Sequence, residues 1–447
     1  MKNREEVSSI SYSRLFSSAK NWPYFLLLVL LAFNSFRPDR LLPGGAILIY
    51  FPIFIIILLF IAWIIKQNKV IRNTQTKFYF LLIILMLIQL PFVRNYGLAF
   101  PTVKATLLYG ITTYLFLIQF IDTYPRLNQY IRLYTIFGVF LAVVGLTSAG
   151  RVNIPMLRDE NDFSLYINCL IPFAFFLIEI SDKLRKKIFY SFLIVILISA
   201  NVASFSRGGF VGLVAVGIYL FLQSKNKLMY SILAIIAVIG LITYSPQEYM
   251  AEIQTINTES HKTGTGFQRV LSWSAAWEIF KDHPIMGVGI YNYGPWLPEY
   301  WEGEKVRELM WGRVPHSLYF TLLSEMGIIG TLIFLIMLIA NMKDHRRICH
   351  LERNKDVLLR DSSFTKEEKE KIASEIRALW FISKAVIGAL VAYLVTGIFI
   401  SVLWYEYFWR FTAFLVLAGN IADRTNAMIL DINNNKAIKN TIHKKNE

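Results

Sequence analysis

The stretch RVPHSLYFTLLSEMGIIGTLIFLIMLIA, Arg313 to Ala340, decides the class of the molecule. From Leu318 onward it is mostly apolar, it does not alternate, and it is long enough to cross a hydrocarbon core of about 30 Å as a helix. It opens on a histidine and carries a glutamate nine residues further in. At ~1.5 Å per residue Glu325 lies about 13 Å deeper than His316, and nine steps of ~100° turn it to the opposite helix face. Glu325 therefore cannot orient His316 from the same helix. A carboxylate at that depth needs a partner. The expected one is a hydrogen bond or ion pair to a neighbouring helix, with Gly327 and Gly330 letting that helix come close.

Similar runs recur from end to end. Of 447 residues, 55% are hydrophobic and 17% charged, where a soluble domain carries roughly a quarter charged. Spans are predicted at 22–36, 45–65, 78–93, 100–122, 131–148, 162–180, 188–203, 208–223, 229–244, 316–341, 379–401 and 406–422. The chain thus reads as an all-α polytopic membrane protein of about 12 transmembrane helices. The runs are continuous, which excludes barrel strands. The first run lacks a small-residue cleavage site and a second span follows at once, so it is a retained helix and not a signal peptide.

The net charge of +15 invites a nucleic-acid reading. The positive-inside rule accounts for it better, since Lys and Arg crowd short loops such as SDKLRKK (181–187) and QSKNK (223–227). Those loops orient the chain with both termini cytoplasmic. The predicted layout is transmembrane helices 1–9 over 1–244, a large periplasmic loop over 245–315, and helix 10 over 316–341. A cytoplasmic helical insert follows over 342–377, then helices 11–12 and a cytoplasmic tail over 378–447. TKEE at 365–368 has the form of a helix start. Cys169, in a span, and Cys349, in the charged insert, make no disulfide framework.

This topology puts several arginines on the outer face, against the trend of the chain. Arg207 lies in ANVASFSRGGFVG (200–212), at a tight turn where a helix begins. A helix start, two glycines that admit close backbone approach (Gly208 and Gly209) and a guanidinium form a plausible diphosphate cradle. The alternative is an arginine snorkelling to lipid headgroups. Arg269 lies in TGTGFQRVLSWSAAWEIFKDHP (263–284), where Trp273, Ala276 and Phe280 share a helix face and Pro284 ends the helix. That helix reads as a basic, Trp-rich surface helix or as a sugar-stacking platform. HPIMGVGIYNYGPW (283–296) holds a lone GxG that follows no strand and is no dinucleotide site. It reads as a tight turn returning the loop to the membrane, with His283 structural and Tyr291 a substrate-binding candidate. His316 is a general-base candidate, or a cap on its helix. Arg151 and Arg158 share the face in AGRVNIPMLRDENDF (149–163). There Asp159, Glu160 and Asp162 either hold a divalent ion or pair with the flanking arginines, and the pairing is the expectation.

Taken together, SFSRGGFVGL (204–213), FQRVLSWSAAW (267–277), HPIMGVGIYNY (283–293) and PHSLYFTLLSEMGIIGTLIF (315–334) resemble the O-antigen ligase and polymerase superfamily of bacterial envelope enzymes. DENDFSLYINCLIPF (159–173) resembles the exosortase-associated O-glycosylation ligases. The resemblance implies a GT-C-like membrane fold and a metal-independent, cofactor-free, inverting glycosyltransferase of the bacterial inner membrane, active at the periplasmic face. Its donor would be an undecaprenyl-diphosphate-linked glycan and its acceptor lipid A core, another glycan or a protein, as in lipopolysaccharide biosynthesis. It implies catalytic roles for Arg207, Arg269 and His316. Arg151, Arg158, Gly208, Gly209, Trp273 and Tyr291 would bind substrate. A polymerase or a protein O-oligosaccharyltransferase would share this donor chemistry. A flippase or secondary transporter is a rival of another class, but the chain lacks the repeated halves of such folds.

Overall fold

The computed structural model describes residues 22–41, 44–66, 71, 73–148, 150–154, 156–157, 159–224, 227, 265–302, 310–360 and 362–446. The predicted span at 229–244, the first part of the long outer loop and Arg158 lie outside the described residues.

Every described element is helical. In chain order the main ones are α1 (Trp22–Phe36), α2 (Phe51–Ile65), α3 (Thr74–Gln89), α4 (Tyr96–Gly110) and α5 (Tyr124–Leu146). They continue with α6 (Glu160–Ile180), α7 (Leu184–Ala203), α8 (Arg207–Gln223), α9 (Thr265–Asp282) and α10 (Tyr293–Tyr300). The last three are α11 (Leu318–Arg360), α12 (Lys366–Thr396) and α13 (Tyr407–Asn446). Eight helical stretches among the described residues are long and apolar enough to cross a membrane, and α8 is a shorter apolar helix.

Local chemistry sets where the helices start. Asn73, Asn95, Asp159 and Ser206 cap α3, α4, α6 and α8 by accepting a hydrogen bond from a backbone N–H of the first turn, one of the donors a helix start leaves orphaned. Thr365 and Glu368 close a full capping box on α12. Neither α11 nor α12 stops at the membrane boundaries drawn from hydropathy. The charged residues after Ala340 carry no helix breaker, so α11 runs on to Arg360, and α12 starts at Lys366 and enters the bundle without interruption.

Burial separates an inner from an outer layer. The apolar window of α6 is 83% buried, while that of the Ile47–Ile65 span is 17% buried with a mean hydropathy of 3.0. Side chains such as Ile53, Phe54, Ile57 and Ile64 are exposed on α2, a face suited to hydrocarbon. α6 and α12 pack together at the centre, flanked by α7, α8, α11 and α13. The described part of the segment 245–315, predicted as an outer loop, has a small core of its own, in which Ala275, Ala276 and Ile279 of α9 meet Val288, Tyr293, Leu297, Trp301 and Met310. Arg94, beside α4, fixes this unit to the bundle. Its guanidinium lies over the Trp296 ring and it forms a two-pronged salt bridge with Glu299.

α11 is the irregular element. At Gly327 the backbone takes φ 60° and ψ −160°, which breaks the helix. The turn 284–289 inserts at the break and takes up its backbone groups. Val288 N donates to Ser324 O (2.9 Å) and Gly289 N to Glu325 O (3.0 Å), while Ile328 N and Ile329 N donate to the carbonyls of Pro284 (2.8 Å) and Ile285 (3.1 Å). Interrupted backbone at membrane depth survives only where protein satisfies it, and here a loop does so.

Candidate functional site

The predicted outer-face segments meet at one end of the bundle, around the turn that links α12 to α13. The N–H of Ser317 donates to Ser401 Oγ (3.3 Å), that of Leu318 to the Gly397 carbonyl (2.7 Å), and Thr321 Oγ1 to Ser401 Oγ (3.1 Å). Those bonds dock the His316 turn. Gly208, next to Arg207, faces the same turn, since a Cβ on it would lie 3.2 Å from Phe399 Cβ. Trp273, one helical turn beyond Arg269, stacks on Phe320 at 5.6 Å between centroids and stands 6.4 Å from the Phe399 ring. Its indole N–H is buried, with no hydrogen-bond partner among the described residues.

His316 lies just outside α11, which begins at Leu318. Its φ is 51°, in the left-handed region that non-glycine residues seldom occupy. The residue is exposed, yet its neighbours partly desolvate the imidazole. Desolvation there, then the Arg269 charge and more weakly that of Arg313, hold the imidazole pKa below its ordinary value, while Asp159 opposes them. The Arg269 charge thus acts on the His316 ring and favours its neutral form. Phe205, two residues before Arg207, and Tyr291 share the left-handed conformation, with φ of 54° each. Three of the four described non-glycine residues at positive φ therefore lie in segments that carry candidate residues, and strain of this kind gathers at functional sites.

Arg207 is the first residue of α8, half-buried, behind the Ser206 cap. Ser206 Oγ also donates to Asn161 Oδ1 (2.8 Å), which ties this helix start to α6. Gly208 and Gly209 are buried, and a Cβ on Gly209 would lie 2.3 Å from Ser164 Oγ. Helix packing thus supplies a reason of its own for these glycines. Arg151 pairs with Glu160, Nε to Oε2 at 3.0 Å, the pairing expected of that acidic run. Asp159 caps α6, and Asp162 accepts a hydrogen bond from Tyr405 (2.8 Å). No cluster of possible metal ligands occurs among the described residues.

Reading the sequence missed Phe399, Ser401, Trp404 and Tyr405. They occupy a short link between the last two spans, where aromatic residues are ordinary interface anchors. Only their dense grouping, in LWYEYFW (403–409), was a signal. Burial and the neighbouring Asp162 carboxylate push the Tyr405 phenol pKa well up, so it remains a donor. Trp404 Nε1 donates to Glu325 Oε2 (2.9 Å). The same carboxylate accepts the N–H groups of Tyr291 (2.9 Å) and Tyr293 (3.3 Å). Of the two partners expected, an ion pair or a hydrogen bond to a neighbouring helix, it is hydrogen bonds that form, and they come from the α12–α13 link and a loop backbone instead of a neighbouring helix.

A match to known proteins falls on these segments. Residues 192–335 match the family model for O-antigen ligase. That match supports a place for the chain in the O-antigen ligase superfamily. The match runs from within α7 to within α11 and takes in Arg207, Arg269, His316 and Glu325; α1–α6, α12 and α13 lie outside it. No curated protein matches the chain. The O-antigen ligase match, with the apolar helices, supports a ligase- or polymerase-type glycosyltransferase working in a membrane, and that family implies a lipid-linked glycan and an acceptor as partners.

Proposed function

We propose that the protein moves a glycan from undecaprenyl diphosphate to an acceptor hydroxyl at the periplasmic face of the bacterial inner membrane, without a metal and with inversion at the anomeric carbon. The observation that carries this reading is an accessible histidine at the head of α11, docked on the same α12–α13 link that Gly208 faces, with the Arg269 charge acting on its ring. A neutral imidazole can accept a proton, and a guanidinium can hold phosphate oxygens.

His316 takes the proton of the acceptor hydroxyl as its oxygen bonds to the anomeric carbon. The bond from that carbon to the diphosphate oxygen breaks, and the electron pair leaves with the diphosphate. Arg207 and Arg269 stabilise the charge that develops there, the kind of electrostatic effect that often dominates catalysis. Attack opposite the leaving group, with no covalent intermediate, inverts the sugar. A donor activated on lipid suits a compartment without nucleotide sugars. Trp273 and Tyr291 offer aromatic surface beside this path, and the indole N–H of Trp273, which has no partner among the described residues, suits a substrate oxygen.

The test is transfer by purified protein from a defined polyprenyl-diphosphate glycan to lipid A core, glycan and peptide acceptors, with release of polyprenyl diphosphate measured. His316→Ala and Arg207→Ala are each expected to abolish release while the protein stays in the membrane. Wild-type rates in both variants would defeat the assignment. Activity is expected to persist in excess chelator; a loss restored by Mg²⁺ or Mn²⁺ would instead favour the carboxylates of Asp159, Glu160 and Asp162 as a metal site.

A further inference from the structure

Glu325 is 4% exposed, roughly two helical turns below the outer face, and takes no part in the chemistry above. All three hydrogen bonds to its carboxylate come from N–H donors: Tyr291 N and Trp404 Nε1 to Oε2, and Tyr293 N to Oε1. A carboxylate is acceptor-only, so it answers all three.

Those donors belong to two separate segments that frame the candidate site. One is the 291–293 turn, where Tyr291 stands at φ 54°. The other is the link after α12, where Tyr405, next to Trp404, donates to Asp162. The Tyr291 phenol pKa is raised by burial and then by the charges of Glu325 and Asp162, so the Asp162 charge acts on that ring as well. Asp159, beside Asp162, acts on both Tyr405 and His316. A continuous run of groups thus leads from Glu325 to the rim of the site.

The helix break does not need this side chain. The inserted turn is held by four backbone bonds, and Gln89 Nε2 adds a bond to the Glu325 carbonyl (2.9 Å). The carboxylate is therefore free to do something other than close the fold.

We propose that Glu325 is a positioning residue for glycan transfer: it holds the 291–293 turn and the 404–405 link in one register, and so sets Tyr291 and the Tyr405–Asp162 pair against His316. The proposal rests on the glycosyltransferase reading above. Glu325→Gln is the sharp variant. An amide keeps the volume but brings an NH₂, which must point at the Tyr293 N–H or at the Tyr291 and Trp404 donors. One acceptor is lost and a donor faces a donor.

The experiment compares wild type, Glu325→Gln and Trp404→Phe in proteoliposomes supplied with a polyprenyl-diphosphate glycan and an acceptor, together with the melting temperature of each protein. A positioning role predicts that Glu325→Gln lowers kcat by on the order of 10–100-fold, with donor KM and melting temperature close to wild type. Trp404→Phe removes one of the donors and predicts a smaller loss of the same kind; it decides the matter alone if the glutamine variant does not reach the membrane. Wild-type kcat in these variants, or a loss that follows the melting temperature, overturns the proposal. If wild type itself releases no polyprenyl diphosphate, the glycosyltransferase reading falls, and this inference with it.

Discussion

An imidazole can act as a base only while it is neutral, and its surroundings decide the pH range over which that holds. His316 is held below its ordinary pKa, chiefly by desolvation and then by Arg269 and Arg313. Its folded value therefore lies under the usual figure near 6.5. Base activity is full above that folded value and disappears as pH falls through it, so kcat/KM should show an acid limb below about pH 6.5. Arg313 is an exposed residue with no assigned contact to substrate. Replacing it by glutamine removes a charge that opposes protonation, so the acid limb should move to higher pH while the plateau rate holds. A limb that stays in place, or moves to lower pH, would show that another group controls it. At this scale the sequence revealed the residues whose chemistry is conspicuous. Arg207, Arg269 and His316 stood out because charge and imidazole are unusual on an outer face. Tyr405 and Asp162 did not, since their hydrogen bond joins positions 243 residues apart and neither residue is unusual for the end of a span.

Among the elements, α11 departs most from expectation. Hydropathy describes 316–341 as one uninterrupted span, and Gly327 and Gly330 suggest a neighbouring helix drawn close. The neighbour at Gly327 is instead the 284–289 turn, whose backbone stands where a side chain would project. A Cβ on Gly327 would lie 2.6 Å from Ile285 C and O, and the residue has φ 60° and ψ −160°, a region essentially restricted to glycine. Gly327→Ala should therefore cost at least ~1–3 kcal/mol from strain alone and expel the inserted turn, lowering both melting temperature and transfer. Gly217 is the control. It lies inside α8 at an exposed position with nothing within 4 Å of a would-be Cβ, so Gly217→Ala should leave stability unchanged or slightly raised. Equal melting temperatures for the two variants would mean that the break at Gly327 is not strained as described. The sequence carries no mark of this break, because the freed backbone groups are paired by residues some forty positions earlier and the apolar pattern runs through it. The capping box of α12 and the Asx caps, in contrast, use partners within one turn, so a motif such as TKEE could be read directly.

For the whole molecule, the structure and the positive-inside rule supply different halves of one statement. Hydrogen bonds and close contacts gather the starts of α4, α6 and α8, the outer loop and the α12–α13 link at one end of the bundle. The opposite end gathers Gln75, Asp344, Arg347 and Asp423. That division says which segments lie together; the distribution of Lys and Arg is the ground for expecting the second end at the cytoplasm. Each set of segments that meets in space is one that the charge rule places on a single side, and which side faces the cytoplasm is for labelling to decide. Orientation is then testable by labelling. In a background of Cys169→Ala and Cys349→Ala, a cysteine at Trp311, which is 53% exposed and close in sequence to His316, should react with an impermeant maleimide once the outer membrane is opened. A cysteine at Lys366, whose side chain is 92% exposed at the start of α12, should react only after the inner membrane is breached. Inverted labelling would put the arginines and His316 at the cytosolic boundary, where nucleotide sugars are plentiful and a donor activated on lipid is no longer required. The fold would survive that result, and the glycan-transfer reading would lose the compartment on which its chemistry depends.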